Sequence, residues 1–181
     1  MTEPTTPQEM IAQAKSAYEA EEFTQAAAAF AAAQQAYTAA NDPLNAAEMA
    51  NNRSVALLKA GNAQAALEAV LGTAEIFAQA NDQHRQAMAL GNQASALDEL
   101  KKYDEALALY QQSAALFQQL GERDLQALVL KRISNMQFRH KRRTEAMSTM
   151  VDALNAQTRL DLKDRFLLWL LRLVGKLSTP R

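Results

Sequence analysis

Leu90-Gly-Asn92-Gln-Ala94-Ser-Ala-Leu97, followed by Tyr103-Asp-Glu-Ala106-Leu-Ala-Leu-Tyr110, carries the fold of this chain. Leu90, Ala94 and Leu97 lie one helical turn apart, as do Ala106, Leu109/Tyr110, Ser113/Ala114 and Phe117. Two helical patterns therefore follow one another with the polar break Lys101-Lys102 between them. The pair recurs. Asn41-Asp42-Pro43 returns as Asn81-Asp82-Gln83 and, more loosely, as Gly121-Glu122-Arg123, a period of 40 residues. On that period Asn52 falls on Asn92, Leu57 on Leu97, Ala66 on Ala106 and Phe77 on Phe117. Shifted back, Ala26, Phe30, Ala33 and Tyr37 fall under Ala66, Val70, Thr73 and Phe77; shifted forward, Ala146, Met150 and Ala153 join the same columns.

The pattern predicts four helix pairs at about 5–40, 41–80, 81–120 and 121–160, after a flexible segment 1–6. A capping helix over 161–177 and a tail 178–181 follow. Glu21-Glu22, Gly61-Asn62, Lys101-Lys102 and Lys141-Arg142 separate the helices of each pair. Asp42 suits an N-cap before Pro43, and Thr24, Asp104 and Thr144 suit the starts of second helices. Small alanine columns let paired helices approach closely, and the terminal aromatic fills the gap to the next pair. One pair cannot bury its apolar face alone, but stacked pairs can.

Composition agrees. Of 181 residues 38 are alanine, Val and Ile together number eight, and there are five Gly and four Pro, which argues against a sandwich or barrel. With 49% apolar and 22% charged residues, disorder is not the default. The absence of cysteine excludes a disulfide scaffold, a thiol nucleophile and Cys-ligated zinc or iron–sulfur sites. Met1 to Pro7 is polar and acidic, unlike a secretory signal or transit peptide. The longest apolar-rich stretch, Phe166 to Leu177, is interrupted by Arg172 and falls short of the roughly twenty residues of a membrane span. A soluble cytoplasmic protein is the expectation, with a peripheral membrane location as the alternative.

Tyr103-Asp-Glu-Ala106-Leu-Ala-Leu-Tyr110 after Leu90-x-Asn92-x-Ala94-x-x-Leu97 resembles a tetratricopeptide repeat. That family's unit is usually 34 residues, and the 40-residue spacing is similar to its long-helix subclass, seen in kinesin light chains and bacterial peptide-sensing regulators. The resemblance covers about residues 5–160 and is weakest in the fourth unit. There Arg143, Arg132 and Gln157 stand where the pattern has an aromatic, an Asn and a terminal aromatic. It implies an all-α, right-handed α–α superhelix of four such repeats, closed by the C-terminal helix. Without it, an irregular helical bundle remains open.

The residues offer little chemistry. His84 and His140 lie 56 positions apart, no metal-binding His spacing occurs, and the five glycines never approach a phosphate-binding loop. No Gly-x-Ser-x-Gly elbow occurs either. Glu21-Glu22 and Asp98-Glu99 read as solvated helix ends. The expectation is a protein that is not an enzyme, with no catalytic residue, metal or cofactor.

By the resemblance, the first helix of each unit lines a concave groove that takes an extended peptide or a helix. The matching columns supply Lys15, Tyr18 and Glu19; Glu48, Asn51, Asn52, Val55 and Lys59; Met88, Asn92, Ser95 and Glu99; and Lys131, Arg132, Asn135 and Arg139. The strongest candidates are Tyr18, Asn52, Lys59, Asn92, Ser95, Lys131, Arg132, Asn135 and Arg139. Asn52 and Asn92 can grip a peptide main chain, since one amide both donates and accepts. They can equally bridge neighbouring helices. Chaperone-tail adaptors of the family use Lys-x-x-x-Asn, then Asn, then Lys-x-x-x-Arg. Here the columns read Glu48-x-x-x-Asn52, Asn92 and Leu128-x-x-x-Arg132, so such a clamp is disfavoured.

The net charge of −1 hides an asymmetry: residues 1–130 carry −9 and residues 131–181 carry +8. The basic run Lys131–Arg143 admits an anion site or solvated turn ends; with Phe138 its single aromatic, nucleic acid is an unlikely partner. In the last helix Leu162, Phe166, Leu170 and Leu173 form one stripe suited to capping. Arg165, Arg172 and Lys176 form a narrow cationic stripe, and Leu168, Trp169 and Leu171 lie outside the capping face. Phe166, Leu168, Trp169, Leu171 and Arg172 are accordingly the expected partner surface, for a second copy, a membrane or the protein's own groove, unless the helix is simply an intramolecular cap. A non-catalytic scaffold binding a protein or peptide, its identity unknown, is the functional expectation. A peripheral membrane protein using the basic run and last helix is the alternative, and sequence-independent nucleic-acid binding through 131–143 a second.

Overall fold

In the computed structural model, which describes residues 6–178 and their side chains as far as Leu173, every regular element is helical. Lys176, Leu177 and the segments 1–5 and 179–181, all part of the expectations above, lie outside the described side chains or residues. The chain divides into two compact units, Met1–Leu109 and Tyr110–Arg181, so that the boundary falls within one helix.

The first unit holds α1 (Pro7–Glu19), α2 (Phe23–Ala39), α3 (Pro43–Lys59), α4 (Ala63–Val70), α5 (Thr73–Gln79), α6 (Gln83–Glu99) and the start of α7 (Tyr103–Gln119). The second holds the rest of α7, α8 (Arg123–Arg139), α9 (Arg143–Ala156) and α10 (Leu162–Ser178).

The helices are cut at a regular interval. Glu21, Asn41, Gly61, Asn81, Lys101, Gly121 and Lys141 all have φ between 57° and 79°, in the left-handed region, and stand 20 positions apart. At each, the next residue's N–H reaches back five positions, from Glu22 to Ala17, Asp42 to Tyr37, and so on to Arg142 to Gln137, at 2.8–3.0 Å. This is a Schellman closure, which satisfies carbonyls the helix end would otherwise orphan and turns the chain back on itself. Because the left-handed residue is also the break, each turn occupies three residues.

Only two of the seven left-handed positions are glycine. An L-residue there costs about 1–2 kcal/mol, part of which glycine returns as unfolded-state entropy. Lys101→Gly is therefore expected to raise stability by about 0.5–1 kcal/mol, and Gly121→Ala to lower it by about 1 kcal/mol. A Cβ at Gly121 meets nothing within 4 Å, so that loss is purely conformational. Urea unfolding followed by far-UV circular dichroism measures both.

N-capping differs from the expectation at the second helices. Asp42, Asn62 and Asp82 accept from the backbone N–H of Asn45, Ala65 and Arg85 at 2.9–3.2 Å. Thr6 and Glu9 form a reciprocal capping box at α1. Thr24 and Thr144, however, already lie inside α2 and α9, whose N-cap residues Glu22 and Arg142 make no side-chain capping bond. Asp104 likewise sits within the first turn of α7. The Schellman closure fixes where the chain re-enters a helix, with the N-cap two residues before the threonine.

One helix of the pattern is broken. Between α4 and α5, Leu71 (φ −57°, ψ 132°) and Gly72 (φ 80°, ψ −9°) make a type II turn, and the Thr73 hydroxyl donates to the Val70 carbonyl at 2.8 Å. Gly72 is what permits it.

In the first unit α2 packs on α1 and α3, α3 on α4, α5 and α6, and α6 on α4 and α5. Its core joins Ala14, Ala26, Ala27, Phe30, Ala33, Met49 and Ala56, with Met10, Ile11, Tyr18, Tyr37 and Leu57 against them. In the second unit α9 packs on α8 and α10, and the buried Ser134 hydroxyl of α8 donates to the Ala146 carbonyl of α9 at 2.7 Å. The 40-residue columns reappear as burial: Ala26, Ala66, Ala106 and Ala146 are all buried, as are Ala47, Ala87 and Ala127. Small side chains recur wherever helices touch most closely.

Candidate functional site

In the first unit α3 and α6 lie side by side, because each is the first helix of its pair and the period carries one onto the other. Two contacts join them. The Asn92 side-chain amide on α6 donates to the Asn51 side-chain oxygen Oδ1 on α3 at 3.0 Å. Arg85 reaches Glu48 on α3 at 3.1 Å and Asp82 at its own helix start at 2.6 Å. Its guanidinium also lies 5.0 Å from the ring centre of Phe77 at the end of α5. One arginine thus ties three helices, and Glu48 is engaged by a cation of its own chain.

Asn52 and Asn92 are both half-buried on adjacent helices, and Met88 on α6 is exposed. Asn92 spends its donor on Asn51, the bridging role open to it; the Asn52 side chain makes no hydrogen bond to a described residue. Ser95 is buried and its hydroxyl donates back to the Gly91 carbonyl at 2.9 Å. Lys59 is exposed at the last turn of α3. Tyr18 stands apart from these residues, edge-on to Phe23 of α2 with ring centres 5.3 Å apart. The structure therefore brings Asn51 and Asn92 together on the same two helices as the Glu48–Arg85 pair, with Asn52 and Met88 elsewhere along those helices. Nothing in periodicity marked Arg85; an Asp-x-x-Arg spacing at a helix start was its one visible signal.

The carboxylates at these helix starts are held below their ordinary pKa. Asp82 is held below its ordinary pKa of 3.8 first by the Arg85 backbone N–H and then by the Arg85 side chain, against the opposing effect of burial. Asp42 is lowered by the backbone N–H and side-chain amide of Asn45, and Asp124 by the backbone N–H and hydroxyl of Thr158. The Arg85 guanidinium is pushed up, chiefly by Asp82. A depressed carboxylate pKa adds stability that is present above the unfolded value and lost as pH falls through the folded one. Urea midpoints are expected to hold from neutral pH to about 4 and to drop below it. Asp82→Asn should lower the neutral-pH midpoint and flatten that acid drop.

In the second unit Lys131 pairs with Asp164 at 3.8 Å, while Arg132, Asn135 and Arg139 are exposed along α8. Arg123 donates to the carbonyls of Asn155 and Ala156 at 3.0 and 3.1 Å, closing the end of α9. The last helix turns out differently from its wheel reading. Leu168 is buried and Leu171 and Leu167 half-buried, so the packed face comprises Asp164, Leu167, Leu168 and Leu171. The stripe expected to cap, Leu162, Phe166, Leu170 and Leu173, is exposed, together with Trp169. Leu168 and Leu171 thus leave the expected partner surface, and Phe166 and Trp169 stay on the open side, stacked with ring centres 5.8 Å apart. The registering contacts are polar: Lys131–Asp164 at one end and Arg172 donating to the Asn155 side-chain oxygen at 2.9 Å at the other. An all-round leucine helix offers two apolar stripes, and the packed one is the stripe that carries Asp164.

Among the described residues no group of three His, Asp or Glu is placed to hold a metal, and no helix is long and apolar enough to cross a membrane. No family model and no curated protein matches the chain. The fold is similar to that of BtubC (BKLC) from P. vanneervenii, a helical repeat protein, at 16% sequence identity, with a TM-score of 0.71 over 93% of this chain and 72% of that one. The chain has an all-α helical-repeat fold.

Proposed function

We propose that this protein is a non-catalytic scaffold of tetratricopeptide-like repeats, in which the paired first helices α3 and α6 receive an extended peptide or a helix of a protein partner. The observation that carries the reading is the placement of Asn52 and Asn92, 40 residues apart in sequence, on adjacent helices locked together by Asn51–Asn92 and Glu48–Arg85. A surface held by its own polar bridges loses little entropy when a ligand arrives. Asn52 brings an amide able both to donate to and to accept from a main chain, and Met88 an exposed, adaptable apolar side chain on the adjacent helix.

Selection of a random twelve-residue peptide display library on the full chain tests this. Enriched peptides are expected to bind the wild type and to lose about tenfold or more in affinity with Asn52→Ala or Met88→Glu, one unit of ten corresponding to about 1.4 kcal/mol. Peptides whose binding ignores both substitutions would place the site elsewhere and overturn the assignment.

A further inference from the structure

The docked state of α10 leaves a surface that the peptide-binding reading does not use. With Asp164, Leu167, Leu168 and Leu171 turned toward the unit, the opposite side carries Leu162, Phe166, Trp169, Leu170 and Leu173, exposed by 81, 62, 58, 38 and 42%. At 100° per residue these five fall within an arc of about 100°. Exposed cations edge it on both sides, Arg165 on one and Lys163 on the other. An apolar ridge between cationic margins is the pattern of a helix lying in a membrane interface, its aromatic and leucine side chains among acyl chains and its cations at head groups.

We propose that α10 is a surface anchor by which this protein lies on an anionic lipid membrane. Charge decides against the most obvious competitor, a second copy. Paired face to face in either direction, two α10 helices would set cationic edge against cationic edge. The acidic groups of the segment are already engaged: Asp164 with Lys131, and Asp161 accepting the Asp164 backbone N–H at 2.7 Å as the helix cap. The ridge therefore asks for a negative counterpart that can take up convex apolar side chains, which an anionic bilayer supplies. Residues 131–181 add a net +8 to the attraction, against −9 for the preceding 130. With 17 residues, α10 reaches about 25 Å and lies on the surface rather than spanning it.

Trp169 is the chain's single tryptophan, so its emission reports on this helix alone. The full chain is titrated with phosphatidylcholine vesicles containing phosphatidylserine and with pure phosphatidylcholine vesicles. The expected result is co-sedimentation and a blue shift of Trp169 with the anionic vesicles, weakened at least tenfold by pure phosphatidylcholine or by Lys163→Glu with Arg165→Glu. Phe166→Ser with Leu173→Ser should abolish the shift; both residues are exposed, and circular dichroism checks that the fold is kept. No shift with anionic vesicles overturns the proposal, as does binding that survives either pair of substitutions. A shift produced by polyglutamate but not by vesicles overturns it in favour of an acidic protein surface. A dimer dispersed by Phe166→Ser with Leu173→Ser, without vesicle binding, overturns it in favour of self-association.

Discussion

Phe77→Ala is expected to destabilise the protein by about 3–5 kcal/mol, the largest loss from any single truncation in the first unit. Phe77 is fully buried at the end of α5, and its ring is the surface against which the Arg85 guanidinium rests. Removing it leaves a cavity where a fully buried ring stood. It also withdraws the support of the residue that bridges Asp82 and Glu48. The same column holds Tyr37, which is only half-buried. Tyr37→Ala should therefore cost markedly less, about half as much by exposed area. Urea unfolding monitored by circular dichroism measures both losses. A cost below about 1 kcal/mol for Phe77→Ala would mean that the ring is not the packing element described here.

Ala66→Leu is expected to cost about 1–3 kcal/mol although it adds apolar surface and keeps a good helix former. Ala66 has no exposed surface, and α4 carries it against α3 and α6. A leucine there has to push two helices apart, which would also strain the Asn51–Asn92 and Glu48–Arg85 bridges between them. The matched control is Ala78→Leu in α5, an exposed position of the same broken helix, where the change should fall within about 0.5 kcal/mol of zero. If peptide binding rests on the α3–α6 spacing, Ala66→Leu should weaken a selected peptide while Ala78→Leu leaves it unchanged.

The alanine and aromatic columns were legible because burial and period both act on side-chain size, and a 40-residue overlay displays size directly. Ala26, Ala66, Ala106 and Ala146 needed no structure to be found. The turns were legible as polar breaks but not as left-handed residues: Glu21, Lys101 and Lys141 have ordinary side chains, and only the backbone closure places them at positive φ. The break at Leu71-Gly72 escaped for a related reason, since one glycine in an apolar run is compatible with an unbroken helix. In the candidate site, Asn52 and Asn92 came from the period, whereas Arg85 did not, because its partners Glu48 and Phe77 are brought to it by packing. In α10 the hydrophobic pattern was satisfied twice over. The buried stripe is the one whose Asp164 pairs with Lys131, a residue of another helix that the pattern within α10 cannot reveal.

A 20-residue alternation of helix and left-handed turn generates the repeat, and the repeat aligns α3 with α6. Backbone NMR assignment of the full chain tests it most directly. Helical carbon shifts are expected over each of α1 to α9, interrupted by left-handed signatures at Glu21, Asn41, Gly61, Asn81, Lys101, Gly121 and Lys141 and by the turn at Leu71-Gly72. Side-chain contacts from Asn51 to Asn92 are expected as well. Helical shifts running unbroken through Lys101 or Lys141, or an absence of contact between α3 and α6, would contradict this arrangement.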